Sequence, residues 1–127
     1  MIAFATLGCP GLPLDDVIDL AVRHGCTGVE FRYAEGEPVH PGLTDAELAV
    51  VGRRLADAGV TPVALDSYVR VATGEASDEA VVADLRRHVR AAAALGAAFV
   101  RVFPGGSGSG TAGGDPAGAG SSARYTP

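Results

Sequence analysis

The 127-residue chain has no lysine and no tryptophan; all ten of its cationic side chains are arginines. Without lysine there is no Schiff-base amine and no P-loop cation, which removes two routes to covalent and phosphoryl-transfer catalysis. Only two cysteines are present, Cys9 and Cys26, too few for a disulfide framework. They are expected at opposite ends of a sheet as unbridged thiols of a reducing, cytoplasmic protein. Basic blocks are also missing: no cluster is larger than Arg86, Arg87 and Arg90, and the net charge is −5. Nucleic-acid binding needs a positive stripe to neutralise phosphates, so it is disfavoured. The apolar N-terminus lacks the charged opening of a signal peptide, and no later apolar run reaches the length of a membrane span.

What is present is a repeat. HGCTGVEFR (24–32), AGVTPVALD (58–66) and LGAAFVRVF (95–103) align without gaps. Gly25, Gly59 and Gly96 each follow a helically periodic segment and precede a strand-like run. A glycine there can take the left-handed conformation that stops a helix and turns the chain back. Thr44 and Glu47 form a capping box ahead of Leu48, Val51 and Leu55, and Ser77 caps a further helix striped by Val81, Val82, Leu85 and Val89. A first helix is predicted over roughly residues 14–24 and a first strand over 2–6, giving the order β-α-β-α-β-α-β.

Such alternation predicts a parallel sheet with right-handed crossovers. The alignment puts Val29, Val63 and Val100 in one column and Phe31, Leu65 and Val102 in another, and these face the helices. The intervening columns hold Glu30, Ala64 and Arg101, then Arg32, Asp66 and Phe103. A doubly wound sheet would be dry on both faces. A second face carrying carboxylates and guanidinium groups fits a (β/α)8 barrel, whose interior turns polar toward its C-terminal mouth. Only the first four strands and three helices of such a barrel are recognisable. After residue 104 the chain changes character: residues 104–127 contain eight glycines among 24 positions and no apolar periodicity. The expected organisation is therefore residues 1–106 as half a barrel and 107–127 as a disordered Gly/Ser/Ala-rich tail, through truncation or as a natural extension.

TLGCPGLPLDDVIDLAVRHGCTGVEFR, ALDSYVR and LGAAFVRVFPGG together resemble the N-terminal half of the xylose isomerase-like TIM barrels, the sugar phosphate isomerase/epimerase superfamily. The resemblance implies a sugar or sugar-phosphate isomerase or epimerase. It also implies a divalent metal (Mn, Mg or Zn) whose ligands lie mostly on later strands, so this chain is expected not to hold the metal and to be weakly active or inactive. The nucleases of that superfamily place histidines at the ends of strands three and four, where this chain has Asp66-Ser67 and Phe103-Pro104. DNA repair is thereby disfavoured.

The residues themselves supply candidates. Glu30, near the end of its strand and facing inward, is the candidate catalytic carboxylate, with an internal ion pair to Arg101 as the competing role. Arg32 can clamp a phosphate or carboxylate with its planar fork. Asp66 with Ser67 can hold hydroxyl groups, and Arg101 and the loop residue His40 complete the candidate substrate-binding set. No metal ligands are assigned. A non-catalytic module that binds a small ligand, or pairs with a second copy to complete the barrel, is the alternative function.

Overall fold

Strand order decides the architecture. In the computed structural model, which describes residues 1–105, β1 (Ala3–Ala5), β2 (Gly28–Arg32), β3 (Thr61–Val71) and β4 (Phe99–Pro104) lie in the order β1-β2-β3-β4, every neighbouring pair parallel. A doubly wound sheet reverses direction at a switch point; this one never does. It is the singly wound arc of a partial TIM barrel. The expected tail, and its truncation or extension, concern residues outside the described ones.

Three helices join the strands: α1 (Leu14–Arg23), α2 (Asp45–Asp57) and α3 (Asp78–Leu95). Side chains cap the start of α2 and α3, whereas α1 follows Pro13 without a side-chain cap. The Thr44 hydroxyl accepts from the Glu47 N–H at 3.1 Å while the Glu47 carboxylate accepts from the Thr44 N–H at 2.8 Å, which satisfies two orphan donors of the first turn. Ser77 caps α3 with one bond, its hydroxyl accepting the Ala80 N–H at 3.2 Å. Gly25, Gly59 and Gly96 have φ of 69°, 73° and 90°, so all three phased glycines make left-handed turns into the next strand.

One apolar core results. Val17 and Ala21 of α1, Leu48 and Leu55 of α2, and Ala91 and Leu95 of α3 close over Val29, Phe31 and Leu65 of the sheet. The opposite face presents Glu30, Arg32, Asp66 and Arg101. The expected columns need correction at two places, Val63 of β3 and the whole of β4. Glu30 opposes Ala64 and Arg32 opposes Asp66, as the alignment has it, but Val29 opposes Pro62 and leaves Val63 in a bulge. The Val63 side chain lies over Gly28 on the inner face instead of among the helices. β4 is also displaced by two residues: Ala64 opposes Phe99, Leu65 opposes Val100, and Asp66 opposes Arg101. A barrel closes only if its strands are staggered. A slip of one residue would exchange the faces of the strand, so stagger is tolerated in steps of two.

β1 is shorter than expected because the chain turns at Thr6 into a 3-10 turn, Thr6–Gly8. β3 is longer. Its ladder with β4 breaks after Asp66 and resumes with Arg70 opposite Phe103 and Val71 opposite Pro104, so the strand includes Tyr68 and Arg70.

α2 and α3 touch at Gly52. A Cβ there would overlap the Leu95 carbonyl oxygen, a backbone atom at the end of α3 that cannot step aside. Gly52→Ala should therefore lower unfolding stability by about 1–3 kcal/mol in spite of alanine's better helix propensity. Urea denaturation checks this, and an unchanged or raised midpoint would contradict it.

Candidate functional site

The polar row at the C-terminal end of the sheet is built from three strands. Arg32 ends β2, Asp66 stands beside it on β3, and Arg101 stands beside Asp66 on β4. Alternation points all three away from the helices. Their environments nevertheless differ.

Arg32 is fixed on several sides. Its backbone N–H donates to the Thr6 hydroxyl at 2.9 Å, joining β2 to the turn after β1. Its Nε donates to the Tyr68 hydroxyl at 2.6 Å, and its guanidinium carbon is 5.5 Å from the Tyr68 ring centroid. Its Nη1 stands 3.5 Å from Glu37 Oε1. Glu37 is buried, and the same oxygen accepts the Gly11 N–H at 3.2 Å. The loop after β2 is thereby latched to the loop after β1, while Glu37 Oε2 is buried with no partner. The buried Glu37 carboxylate, together with burial of the thiol itself as the larger cause, pushes Cys9 above its ordinary pKa. Such a thiol is less nucleophilic than a free one.

Arg101 is held by β3. Its Nη2 donates to the Ser67 carbonyl at 3.1 Å and its Nη1 stands 3.7 Å from Asp66 Oδ2. Its guanidinium carbon is 4.7 Å from the Phe103 ring centroid, and Phe103 in turn stacks on Tyr68, with centroids 6.2 Å apart and planes 25° from parallel. The Ser67 hydroxyl, fully buried, donates to the Arg101 carbonyl at 2.5 Å and accepts the Val69 N–H at 3.3 Å. It joins β3 to β4 where the regular ladder is interrupted.

Asp66 has the least company. Its side chain is 1% exposed, and among the described residues neither carboxylate oxygen has a hydrogen-bond donor. Burial raises its pKa above the ordinary value of 3.8; Arg101 lowers it, and the negative charge of Glu30 raises it again. Burial outweighs the ion pair because 3.7 Å leaves no direct hydrogen bond to repay the lost hydration. The ion pair expected between Glu30 and Arg101 is thus corrected: the two-residue stagger of β4 gives Arg101 to Asp66, and Phe99 takes the place beside Ala64 in the row of Glu30. Glu30 remains half-buried on the same face.

His40 lies apart from this row, in the loop before α2, where its Nδ1 accepts the Gly42 N–H at 3.1 Å. Cys9 and Cys26 are both unpaired, yet both border one shallow groove between β1 and α1. Thr6 and Glu37 are the site's contributions that sequence reasoning missed. Nothing in the spacing separates Glu37 from the nearby Glu35; only the fold brings it back to Arg32. Among the described residues no three or more His, Cys, Asp or Glu side chains gather to hold a metal ion.

A family model described as xylose isomerase-like TIM barrel matches residues 18–123, most of the chain. Comparison with curated proteins and with solved structures found no match. Barrels of that family are generally metal-dependent, and the residues described do not fit a divalent cation: the Arg101 guanidinium already occupies the space beside the Asp66 carboxylate, and no third ligand converges there.

The raised pKa of Asp66 has a defined sign. A folded-state pKa above the unfolded one means the native protein binds the proton more tightly, so Asp66 favours folding below the unfolded value and loses that contribution as pH rises through the folded one. Asp66→Asn should accordingly be more stable than the wild type at pH 7, with the difference shrinking toward pH 4. Thermal unfolding across that range tests it; a variant less stable at neutral pH would show that the ion pair with Arg101 outweighs the buried charge.

Proposed function

Because the chain belongs to the xylose isomerase-like TIM barrel family, we propose that its inner sheet face binds a small sugar or sugar phosphate and serves isomerisation or epimerisation by acid/base proton transfer. One observation carries this reading. Two guanidinium groups, with side chains 22% and 33% exposed, flank a buried carboxylate at the strand ends, the end at which barrels of this class do their chemistry.

The roles follow from the chemistry of the groups. Arg32, held by Tyr68 and Glu37, offers its remaining N–H groups to a phosphate or to the oxygen of a sugar carbonyl. Arg101 flanks the other side of Asp66. Asp66, whose carboxyl is pushed above its ordinary pKa by burial, can accept a hydrogen bond from a ligand hydroxyl. Glu30 lies one inward-facing row below Arg32 on the same strand, and is the group proposed to take the proton from the carbon beside the carbonyl and return it to the former carbonyl carbon, while the hydroxyl proton of the first carbon passes to the carbonyl oxygen. Positive charge above would stabilise the enediolate oxygen formed in between. Ser67 supports the site by fixing β4 against β3, since its hydroxyl is already engaged.

Calorimetric titration with pentose and hexose phosphates, and with the corresponding free sugars, tests the reading. Arg32→Ala should weaken sugar-phosphate binding roughly tenfold to a hundredfold, as befits a charge-assisted hydrogen bond, and leave free-sugar binding nearly unchanged. Equal loss for both ligand types would remove Arg32 from the phosphate. Glu30→Gln should retain binding while abolishing exchange of the carbon-bound proton in heavy water, followed by NMR. Binding with no exchange in the wild type would reduce the face to a ligand-binding module, and no binding of either ligand type would end the proposal.

A further inference from the structure

A guanidinium group holds its N–H bonds in one plane and accepts none in return. The Nη1 side of Arg32 faces Glu37, at 3.5 Å. On the other side the Nε–H and one Nη2–H project in parallel, the fork that a carboxylate or phosphate spans with two oxygens. One arm of this fork is already filled, because Nε donates to the Tyr68 hydroxyl at 2.6 Å. The Nη2 arm has no partner among the described residues.

The direction of the filled bond decides what Tyr68 has left to give. Arginine cannot accept, so the phenol oxygen is the acceptor and its own proton points elsewhere. A ligand oxygen that takes the Nη2–H comes to rest beside the phenol oxygen, as the two oxygens of a bidentate anion lie side by side. Two oxygens so placed repel unless a proton lies between them. The Tyr68 O–H, which donates to no group among the described residues, supplies that proton. The ring is held in place on both sides. The Arg32 guanidinium carbon is 5.5 Å from its centroid, and Phe103 stacks on it at 6.2 Å while carrying Arg101 at 4.7 Å from its own centroid. Tyr68 nevertheless remains 43% exposed, so a ligand can reach it. The Glu37 carboxylate on the Nη1 side repels an anion toward this same arm.

We propose that Tyr68 is a further ligand-binding residue of the inner face: its hydroxyl donates to the phosphate group that Arg32 Nη2 holds, so that phenol and guanidinium grip one tetrahedral anion together. The inference rests on the reading of Arg32 as the phosphate-binding group and adds the donor that orients the anion.

Inorganic phosphate is the first probe, because it carries the anion without a sugar. In titration calorimetry with the full 127-residue chain, Tyr68→Phe should bind inorganic phosphate and a pentose phosphate about tenfold more weakly than the wild type, the loss of one hydrogen bond to a charged group. Its unfolding midpoint should stay unchanged, since the ring still stacks on Phe103. A tyrosine that only props Arg32 would lose affinity as well, and a second measurement separates the two roles. A ring-fluorinated tyrosine at position 68 is more acidic, hence a better donor and a poorer acceptor. Below neutral pH, where the phenol keeps its proton, donation to the anion predicts tighter phosphate binding by the fluorinated protein, and propping predicts weaker. Wild-type affinity in Tyr68→Phe, equal or weaker binding after fluorination, or no phosphate binding by the wild type would each overturn the proposal. The two readings fail separately. Phosphate binding that depends on Tyr68, with no exchange of a sugar's carbon-bound proton, removes only the isomerase reading. Exchange on a sugar phosphate that is indifferent to Tyr68→Phe removes only this one.

Discussion

Among the described residues the Asp66 carboxylate, almost wholly out of water, has a single guanidinium beside it and no donor within hydrogen-bonding reach. Much of the surrounding structure answers to that charge. Arg101 is pinned by the Ser67 carbonyl in the position that keeps it near Asp66, and the Ser67 hydroxyl returns the bond to the Arg101 backbone. Three consecutive interactions thus lock β3 to β4 across the stretch where their regular ladder lapses. An unpaired carboxylate at this depth would cost several kcal/mol, so β4 has one favourable stagger and the neighbouring alternatives are penalised. The register of the last described strand is set by electrostatics as much as by backbone pairing.

The fold was legible because its signals are local. Capping residues, phased glycines and the helical spacing of Leu48, Val51 and Leu55 act within a few residues of one another, and each recurs in the structure where the sequence places it. The face of each polar residue was legible too, since alternation is a property of one strand alone. What could not be read was the offset between strands. Gapless alignment assumes equal heights, and a curved sheet forbids equal heights, which is why Arg101 meets Asp66 and Glu30 does not receive the pairing expected of it. The Val63 bulge fails to appear in the alignment for the same reason, as a bulge exists only relative to a neighbour. Glu37 illustrates the remaining blind spot. Its role depends on a loop folding back over Arg32 and Gly11, which no periodicity records.

Family membership, the inner row of arginines and carboxylates, and the singly wound sheet point in one direction without repeating one another. The family match concerns the sequence over residues 18–123; the row concerns side-chain chemistry; strand order concerns topology. No helix among the described residues is long and apolar enough to cross a membrane, and the helices pack instead on the outer side of the sheet. On the inner side of the sheet Tyr68 and Phe103 stack beside the two guanidinium groups and add apolar surface to the polar row.

Glu37 binds the Gly11 amide and the Arg32 guanidinium with one oxygen, so two mouth loops and a strand end are already immobilised before any guest arrives. Freezing a loop on arrival would subtract from affinity, whereas a rim set in advance loses little freedom on occupation.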